Sequence, residues 1–341
     1  MARNYICVFD CETIPDVSLL RRIYGYRGDD MSVCQQAFSA QKAASGSEFL
    51  PVMFHKTVVI SAVMADEYGK FLRVNTMEGA NEREILAKFI KFINEYNPRI
   101  VSFNGRGFDL PMIMVRAMKY NLSAPSYFES ENRELNKNKW ENYRSRYDGK
   151  FHLDLLDHIS DFGSVRGLKL DTLCASLNLP GKYDVHGDQV TELFFSGEIA
   201  KINEYCESDV LNTYWLFLKY ELLRGNLTSE DYASYLNVMS EFLLNERPKM
   251  SYTDVFCDAV ESEILRLEGK SEYEEEFQEH FEDENFADED LGRVEPKELD
   301  EHLAKVGLDG ILQKGAVNLK NKKRENLELN EQLPEINLDD E

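Results

Sequence analysis

The amino-acid sequence predicts an α/β fold with a mixed β-sheet. Three strand-like runs precede one amphipathic helix, and strands and helices alternate after it. This order of elements is the one expected when helices cover a sheet. The 341-residue chain is 43% hydrophobic and 30% charged, which is typical of a globular protein that buries a proper core.

Five short apolar runs rich in strand formers predict the strands, at residues 5–10, 57–65, 70–76, 99–103 and 151–156. The second and third runs are joined around Gly69 by a hairpin-like turn. Apolar residues at helical spacing predict helices at 81–96, 108–120, 170–177, 188–195 and 198–223. Residues 25–51 are a weakly patterned mixture of Gly, Ser, Gln and Ala, which predicts a long loop beside the first strand.

Composition divides the chain into three parts. Residues 1–225 form the predicted main domain, and 226–265 form a helical extension that packs on it. Residues 266–341 are rich in Glu and Asp and poor in branched apolar residues, so we expect a largely disordered tail. Residues 251–341 carry −18 of the net charge of −23, which leaves only −5 for residues 1–250. The acidity is therefore mainly a property of the tail, and residues 115–150 form a local basic strip.

Several observations indicate a cytoplasmic protein. No apolar run approaches the length of a membrane span, and the N-terminus lacks the apolar core of a secretory signal. The six cysteines show no CxxC or Cys/His ligand spacing, so they are expected to be reduced thiols.

Three segments carry acids that suit metal chemistry. Asp10 and Glu12 end the first strand and point to the same side, where two carboxylates repel unless a cation lies between them. Asp109 follows a glycine-bearing turn at a helix start, and Tyr205 and Asp209 lie one turn apart on a helix. Each segment alone also fits a structural explanation: a solvated strand end, a charged helix start and a core-edge tyrosine. The turn is not a dinucleotide loop, because Leu110 occupies the place of the third glycine.

Together the segments resemble the DEDDy-type 3′–5′ exonucleases of the ribonuclease-H-like superfamily, in which the third motif has tyrosine. The flanking sequences are similar to bacterial exonucleases related to the proofreading domain of family B DNA polymerases. These flanks are Val-Phe-Asp-Cys-Glu-Thr (8–13), Phe-Leu-Pro (49–51), Phe-His-Leu-Asp-Leu-Leu-Asp (151–157), Lys-Leu-Asp-Thr-Leu (169–173) and Tyr-Cys-Glu-Ser-Asp-Val-Leu-Asn-Thr-Tyr (205–214). The resemblance covers about residues 1–260 and implies a ribonuclease-H-like mixed five-stranded sheet flanked by helices.

The resemblance also implies the catalytic residues Asp10, Glu12, Asp109, Tyr205 and Asp209. The four acids would hold two Mg²⁺ or Mn²⁺ ions, because carboxylate oxygens suit these hard cations. Tyr205 would orient the attacking water. The residues expected to bind the 3′-terminal nucleotide are Thr13, Asn104, Arg106 and Phe108. Asp154 and Asp157 are candidates either for a further ligand or for a polar network.

The expected substrate is the 3′ end of single-stranded DNA, in repair or proofreading. Cations expected to contact phosphates are Arg106, Arg116, Arg144, Arg146, Arg166 and Lys169. Aromatic residues interleave with the cations of 121–150, as suits single-stranded nucleic acid, although an ordinary solvated insertion has the same composition. RNA is an alternative substrate, and a non-catalytic module that binds nucleic acid or protein is an alternative function. The acidic tail is a candidate site for a basic protein partner.

Overall fold

The computed structural model describes residues 5–181 and 187–269, all of which belong to one compact unit, Met1–Ser271. The prediction of a disordered tail over 266–341 falls almost entirely outside these residues. None of the described helices is both long enough and apolar enough to cross a membrane.

A mixed five-stranded sheet forms the centre of the unit, which confirms the predicted fold class. Its strands are β1 (Tyr5–Pro15), β2 (His55–Asp66), β3 (Phe71–Thr76), β4 (Arg99–Ser102) and β5 (His152–Asp154), in the order β3-β2-β1-β4-β5. β1 is central: it pairs antiparallel with β2 and parallel with β4. β5 pairs parallel with β4, and β3 pairs antiparallel with β2.

Helices surround this sheet, and five of the eleven described lie where apolar spacing predicts them. They are α1 (Val17–Tyr24), α2 (Asp30–Ser45), α3 (Glu82–Tyr96), α4 (Asp109–Lys119), α5 (Pro125–Phe128), α6 (Leu155–Ile159), α7 (Leu170–Ser176), α8 (Val190–Phe195), α9 (Ile199–Leu223), α10 (Ser229–Glu246) and α11 (Tyr252–Leu267). Short 3₁₀ turns cover Val52–Phe54 and Gly187–Gln189. α3 ends at Tyr96 because Asn97 adopts a left-handed conformation and caps it.

The predicted loop over 25–51 is wrong, because α2 occupies most of it. Only Val33, Cys34 and Ala37 of this helix are buried, so its apolar stripe is too short to be read from periodicity. The helix signal lies at its ends instead. The Asp29 side chain accepts a hydrogen bond from the amide of Ser32, and Gly46 closes the helix in a left-handed conformation.

Two apolar layers cover the faces of the sheet. One layer joins Ile6 and Val8 of β1 to α9, α10 and α11. The other joins Cys7, Phe9 and Cys11 of β1 to α3 and α4. Successive residues of a strand point to opposite faces, so the side chains at even positions of β1 face α9 and those at odd positions face α4.

Candidate functional site

The even-numbered acids of β1 face the long helix α9. Asp10 and Glu12 continue the row of Ile6 and Val8, and both are half-buried. The β1–β2 register shifts between Glu12 and Thr13. Such an irregularity bends a strand and re-aims its side chains, and it often lies beside an active site.

Tyr205 and Asp209 of α9 meet these two acids. Both are buried, with 7% and 5% of their surface exposed. Burial raises the pKa of the Tyr205 hydroxyl, and the negative charges of Glu12, Asp209 and Asp10 raise it further. The phenol therefore keeps its proton and acts as a hydrogen-bond donor among three carboxylates.

A cysteine joins the same cluster. The ligand atoms of Asp10, Glu12 and Cys206 all lie within 4.8 Å of one another. The Cys206 thiol donates to the backbone carbonyl of Asp10 at 3.6 Å, and burial raises its pKa well above the ordinary value. Cysteine spacing along the sequence gives no hint of this contact. The only available signal is the position of Cys206 beside Tyr205 in the third motif.

Asp109 approaches β1 from the opposite face. It is the first residue of α4, it is only 5% exposed, and its Oδ1 accepts a hydrogen bond from the Cys11 thiol at 2.8 Å. Burial raises the pKa of Asp109 to about 7. Within the described residues, the cluster of Asp10, Glu12 and Cys206, whose ligand atoms lie within 4.8 Å of one another, includes neither Asp109 nor Asp209. The four predicted acids thus surround the end of β1, two on the strand and one on each flanking helix.

The turn before Asp109 has a tightly defined backbone. Asn104 adopts a left-handed conformation with φ 64°. A Cβ atom at Gly105 would collide with the side chain of Ser102, and one at Gly107 would lie 2.5 Å from Oδ1 of Asn104. The two glycines are therefore required by close approach, and they deliver Asp109 to the start of α4.

Asp154 anchors this turn from β5. Its carboxylate accepts the amide N–H groups of Asn104 at 2.9 Å and Arg106 at 2.8 Å, and it also caps α6 through the amide of Leu156. Of the two roles that the sequence leaves open for Asp154, this geometry favours the polar network.

Arg106 takes part in the same network. Its Nη2 donates to the carbonyl of Ser145 at 3.1 Å and to Nδ1 of His152 at 3.0 Å. Because arginine only donates, Nε2 of His152 carries the proton and donates to Oγ of Ser102 at 2.8 Å. The Arg106 guanidinium thus supports the turn from within.

Aromatic side chains border the site near Thr13. The Thr13 hydroxyl is 2.8 Å from Nδ1 of His55. The Phe108 ring packs edge-on against His55 and against Phe49, with centroids 4.8 and 4.9 Å apart. Phe49 is 59% exposed, so an apolar ring is open to solvent beside His55, the residue that contacts Thr13. The sequence identifies Phe49 only as part of a flanking motif.

The predicted phosphate contact at Arg116 is wrong. Arg116 is 3% exposed and binds both oxygens of Glu82 and Oδ2 of Asp16, each at 2.6 to 2.7 Å. Arg146 pairs with Asp157 at 2.5 Å. Other cations in the predicted set are exposed: Arg144, Arg166 and Lys169.

Comparison with known proteins identifies a family that this chain matches. A family model described as a predicted 3′–5′ exonuclease related to the exonuclease domain of PolB matches residues 47–260. The match begins after β1, so Asp10 and Glu12 lie outside it.

The chain is also similar to parts of archaeal DNA polymerases. The chain is 26% identical over 136 residues to a DNA polymerase of Archaeoglobus fulgidus, covering 39% of this chain and 17% of the polymerase. It is 32% identical over 88 residues to a DNA polymerase of Methanocaldococcus jannaschii, covering 26% of this chain and 5% of that protein. The family B DNA polymerase from Pyrobaculum calidifontis aligns with a TM-score of 0.40 and 17% identity, over 70% of this chain and 28% of the polymerase. The chain therefore spans less than a fifth of the curated polymerases that it matches.

Proposed function

The chain belongs to the family of predicted 3′–5′ exonucleases related to the exonuclease domain of PolB, and from this membership we propose that it removes nucleotides from the 3′ end of single-stranded DNA. The observation that carries the proposal is the convergence of acids around one strand end. Asp10 and Glu12 meet α9 on one face of β1, and Asp109 reaches Cys11 on the other. Closely spaced carboxylates repel one another, and a bound cation relieves that repulsion.

The donor set fits divalent cations. The four acids of the site, Asp10, Glu12, Asp109 and Asp209, would hold two Mg²⁺ or Mn²⁺ ions, since carboxylate oxygens suit hard cations. The Cys206 thiol of the same cluster is protonated in the metal-free chain and donates to the backbone carbonyl of Asp10. When bound, such ions activate water and neutralise charge on the departing 3′ oxygen of a phosphodiester.

Tyr205 positions the reacting groups. Its hydroxyl is protonated and faces Glu12, Asp209 and Asp10, so it can donate a hydrogen bond to an attacking water or a phosphate oxygen. In the metal-free chain burial and three negative charges raise the pKa of this hydroxyl, which favours an orienting role over that of a general base.

The terminal nucleotide would bind along Thr13, Asn104 and Phe108. Asn104 is exposed at the turn five residues before Asp109, and the Phe108–Phe49 ring pair offers an apolar face to a base. Arg106 contributes by shaping the turn rather than by reaching a phosphate, since its guanidinium side chain is only 18% exposed.

Degradation of end-labelled oligonucleotides tests the proposal. Matched DNA and RNA strands carrying a 5′ label should give a ladder of shortened products with Mg²⁺ or Mn²⁺, and DNA should be the faster substrate. Strands carrying a 3′ label should release the labelled nucleotide at once. Asp209→Asn should abolish both signals. If RNA is shortened faster than DNA, the proposed substrate is wrong and RNA takes its place. A wild-type chain that shortens neither strand would overturn the proposed function.

A further inference from the structure

Residues 205–209 of α9, from Tyr205 to Asp209, form the catalytic turn of this helix. The face of this turn that points away from the site carries a buried acid. Glu207 lies two residues after Tyr205 and two before Asp209, and it is 5% exposed. Residues two apart on a helix point about 200° apart, so Glu207 faces away from the site. Its carboxylate accepts hydrogen bonds from Thr76 Oγ1 at 3.0 Å and from the Tyr252 hydroxyl at 2.6 Å. Both donors come from elements outside the candidate site.

Polar contacts continue from Glu207 to the first catalytic strand. The Thr76 hydroxyl lies 2.9 Å from the hydroxyl of Ser61, and Ser61 is the β2 partner of Asp10 in the sheet register. Cys206, the residue before Glu207, donates to the carbonyl of Asp10. The turn of α9 and the strand that bears Asp10 are therefore linked by a set of part-buried hydrogen bonds.

The junction between α10 and α11, residues 247–252, fixes the other side of Glu207. Arg247 donates to the carbonyl of Val74 at 3.0 Å, and its Nε lies 3.8 Å from Glu207. The amide and hydroxyl of Ser251 both donate to Glu204 of α9, at 3.1 and 2.7 Å. The junction thus holds α9 and β3 together immediately behind Tyr205.

We propose that Glu207 is a positioning residue for the hydrolysis, and that the junction 247–252 holds the catalytic turn of α9 against the sheet through it. This inference rests on the proposed function. The helical extension, residues 226–265, then contributes to the active site, because it fixes the positions of Tyr205 and Asp209 relative to Asp10.

Two tyrosines of the extension supply a matched test. Tyr252 and Tyr232 are both fully buried, and each hydroxyl donates to a glutamate, at 2.6 Å to Glu207 and at 2.7 Å to Glu263. Tyr232 also accepts a hydrogen bond from the Trp215 indole, so its loss disturbs the packing at least as much. Only Tyr252 contacts the catalytic turn.

Tyr252→Phe and Tyr232→Phe should be compared in the full chain. We expect Tyr252→Phe to lower kcat about tenfold, the scale of one hydrogen bond to a charged acceptor, while KM for a DNA oligonucleotide stays unchanged. Tyr232→Phe should lower the melting temperature about as much as Tyr252→Phe does, and it should keep the wild-type kcat. Glu207→Gln, which keeps one acceptor oxygen for one of the two hydroxyls, should retain more of the wild-type rate than Glu207→Leu.

Mn²⁺ binding without nucleic acid provides a readout that does not depend on turnover. Calorimetric titration with Mn²⁺ should show weaker binding to Tyr252→Phe and wild-type binding to Tyr232→Phe. If the wild type shortens DNA and the two variants match in kcat and in Mn²⁺ affinity, the positioning role is wrong while the proposed function stands. A wild-type chain that binds Mn²⁺ without shortening DNA overturns the function, and the titration still decides the role of Glu207. A chain that does neither overturns both.

Discussion

Replacing Asp109 by asparagine should stabilise the metal-free chain while it abolishes hydrolysis. Burial raises the pKa of Asp109 from 3.8 to about 7, and the hydrogen bond from the Cys11 thiol offsets only part of that rise. A carboxyl whose pKa is higher in the folded chain binds its proton more tightly there. Its contribution to stability is therefore fully present below pH 3.8 and is lost as pH rises through about 7.

The size of the effect follows from the two pKa values. A shift of about 3 units corresponds to roughly 4 kcal/mol at pH 8, because each unit is about 1.4 kcal/mol. Asparagine cannot ionise, and its amide oxygen still accepts the Cys11 thiol. Asp109→Asn should therefore gain up to about 4 kcal/mol in the free energy of unfolding, or on the order of 8 °C in melting temperature for a domain of this size.

Thermal unfolding in a chelator at two pH values measures this gain. The difference between variant and wild type should fall to about half at pH 5.5. Folded Asp109 is then mostly protonated, and keeping its proton about 1.7 units above the pKa of the unfolded chain costs roughly 2 kcal/mol. Asp254→Asn is a suitable control, since Asp254 is an exposed acid in the first turn of α11. It should lose a few tenths of a kcal/mol through the helix dipole. A variant at position 109 that is no more stable than wild type at pH 8 would refute the assignment of a costly buried charge.

Three further changes give separable outcomes. Phe49→Ala should raise KM for single-stranded DNA at least fivefold, because base stacking contributes about 1–3 kcal/mol. Tyr68→Ala, an equally exposed aromatic at the other end of the sheet, should leave KM unchanged in the same steady-state assay. Arg116→Ala should cost about 3–5 kcal/mol in urea unfolding, because Glu82 is left buried without a counter-charge and Asp16 keeps only Lys119. It should not alter the salt dependence of DNA binding. Tyr205→Phe should lower kcat about 100-fold through the loss of one donor, with Mn²⁺ affinity retained by calorimetry.

Local patterns predict most of the fold, and the family resemblance supplies the candidate catalytic residues, but neither shows which helix covers each face of β1. The alternation of β1 is readable from the sequence and shows that Asp10 and Glu12 share a face. Which helix covers that face depends on strand order and on long-range packing. For the same reason Cys11 and Cys206 could not be linked to carboxylates, since each thiol meets an acid about a hundred or more residues away along the chain.

Charge counting fails where cations are paired in space. The strip over 115–150 has an excess of cations in the sequence, yet Lys137, Arg146 and Lys150 pair with Glu129, Asp157 and Glu141. Arg116 pairs with Asp16, a hundred residues earlier. The net charge counted over a sequence segment omits the acids that contact the segment only in the folded chain. Under the proposed function, we expect the attraction for DNA to come from the exposed cations rather than from the whole strip.

The contrast between Asp154 and Asp109 shows what separates a scaffold acid from a site acid. Both are buried beside the same turn, and burial raises the pKa of both. Asp154 accepts three backbone N–H groups, which satisfy its oxygens and tie the turn to β5. Asp109 faces the Cys11 thiol, a weak donor, so its charge is poorly compensated in the metal-free fold. A bound cation can compensate a buried carboxylate charge that has few strong hydrogen-bond donors. We therefore expect Asp109, and not Asp154, to respond to metal.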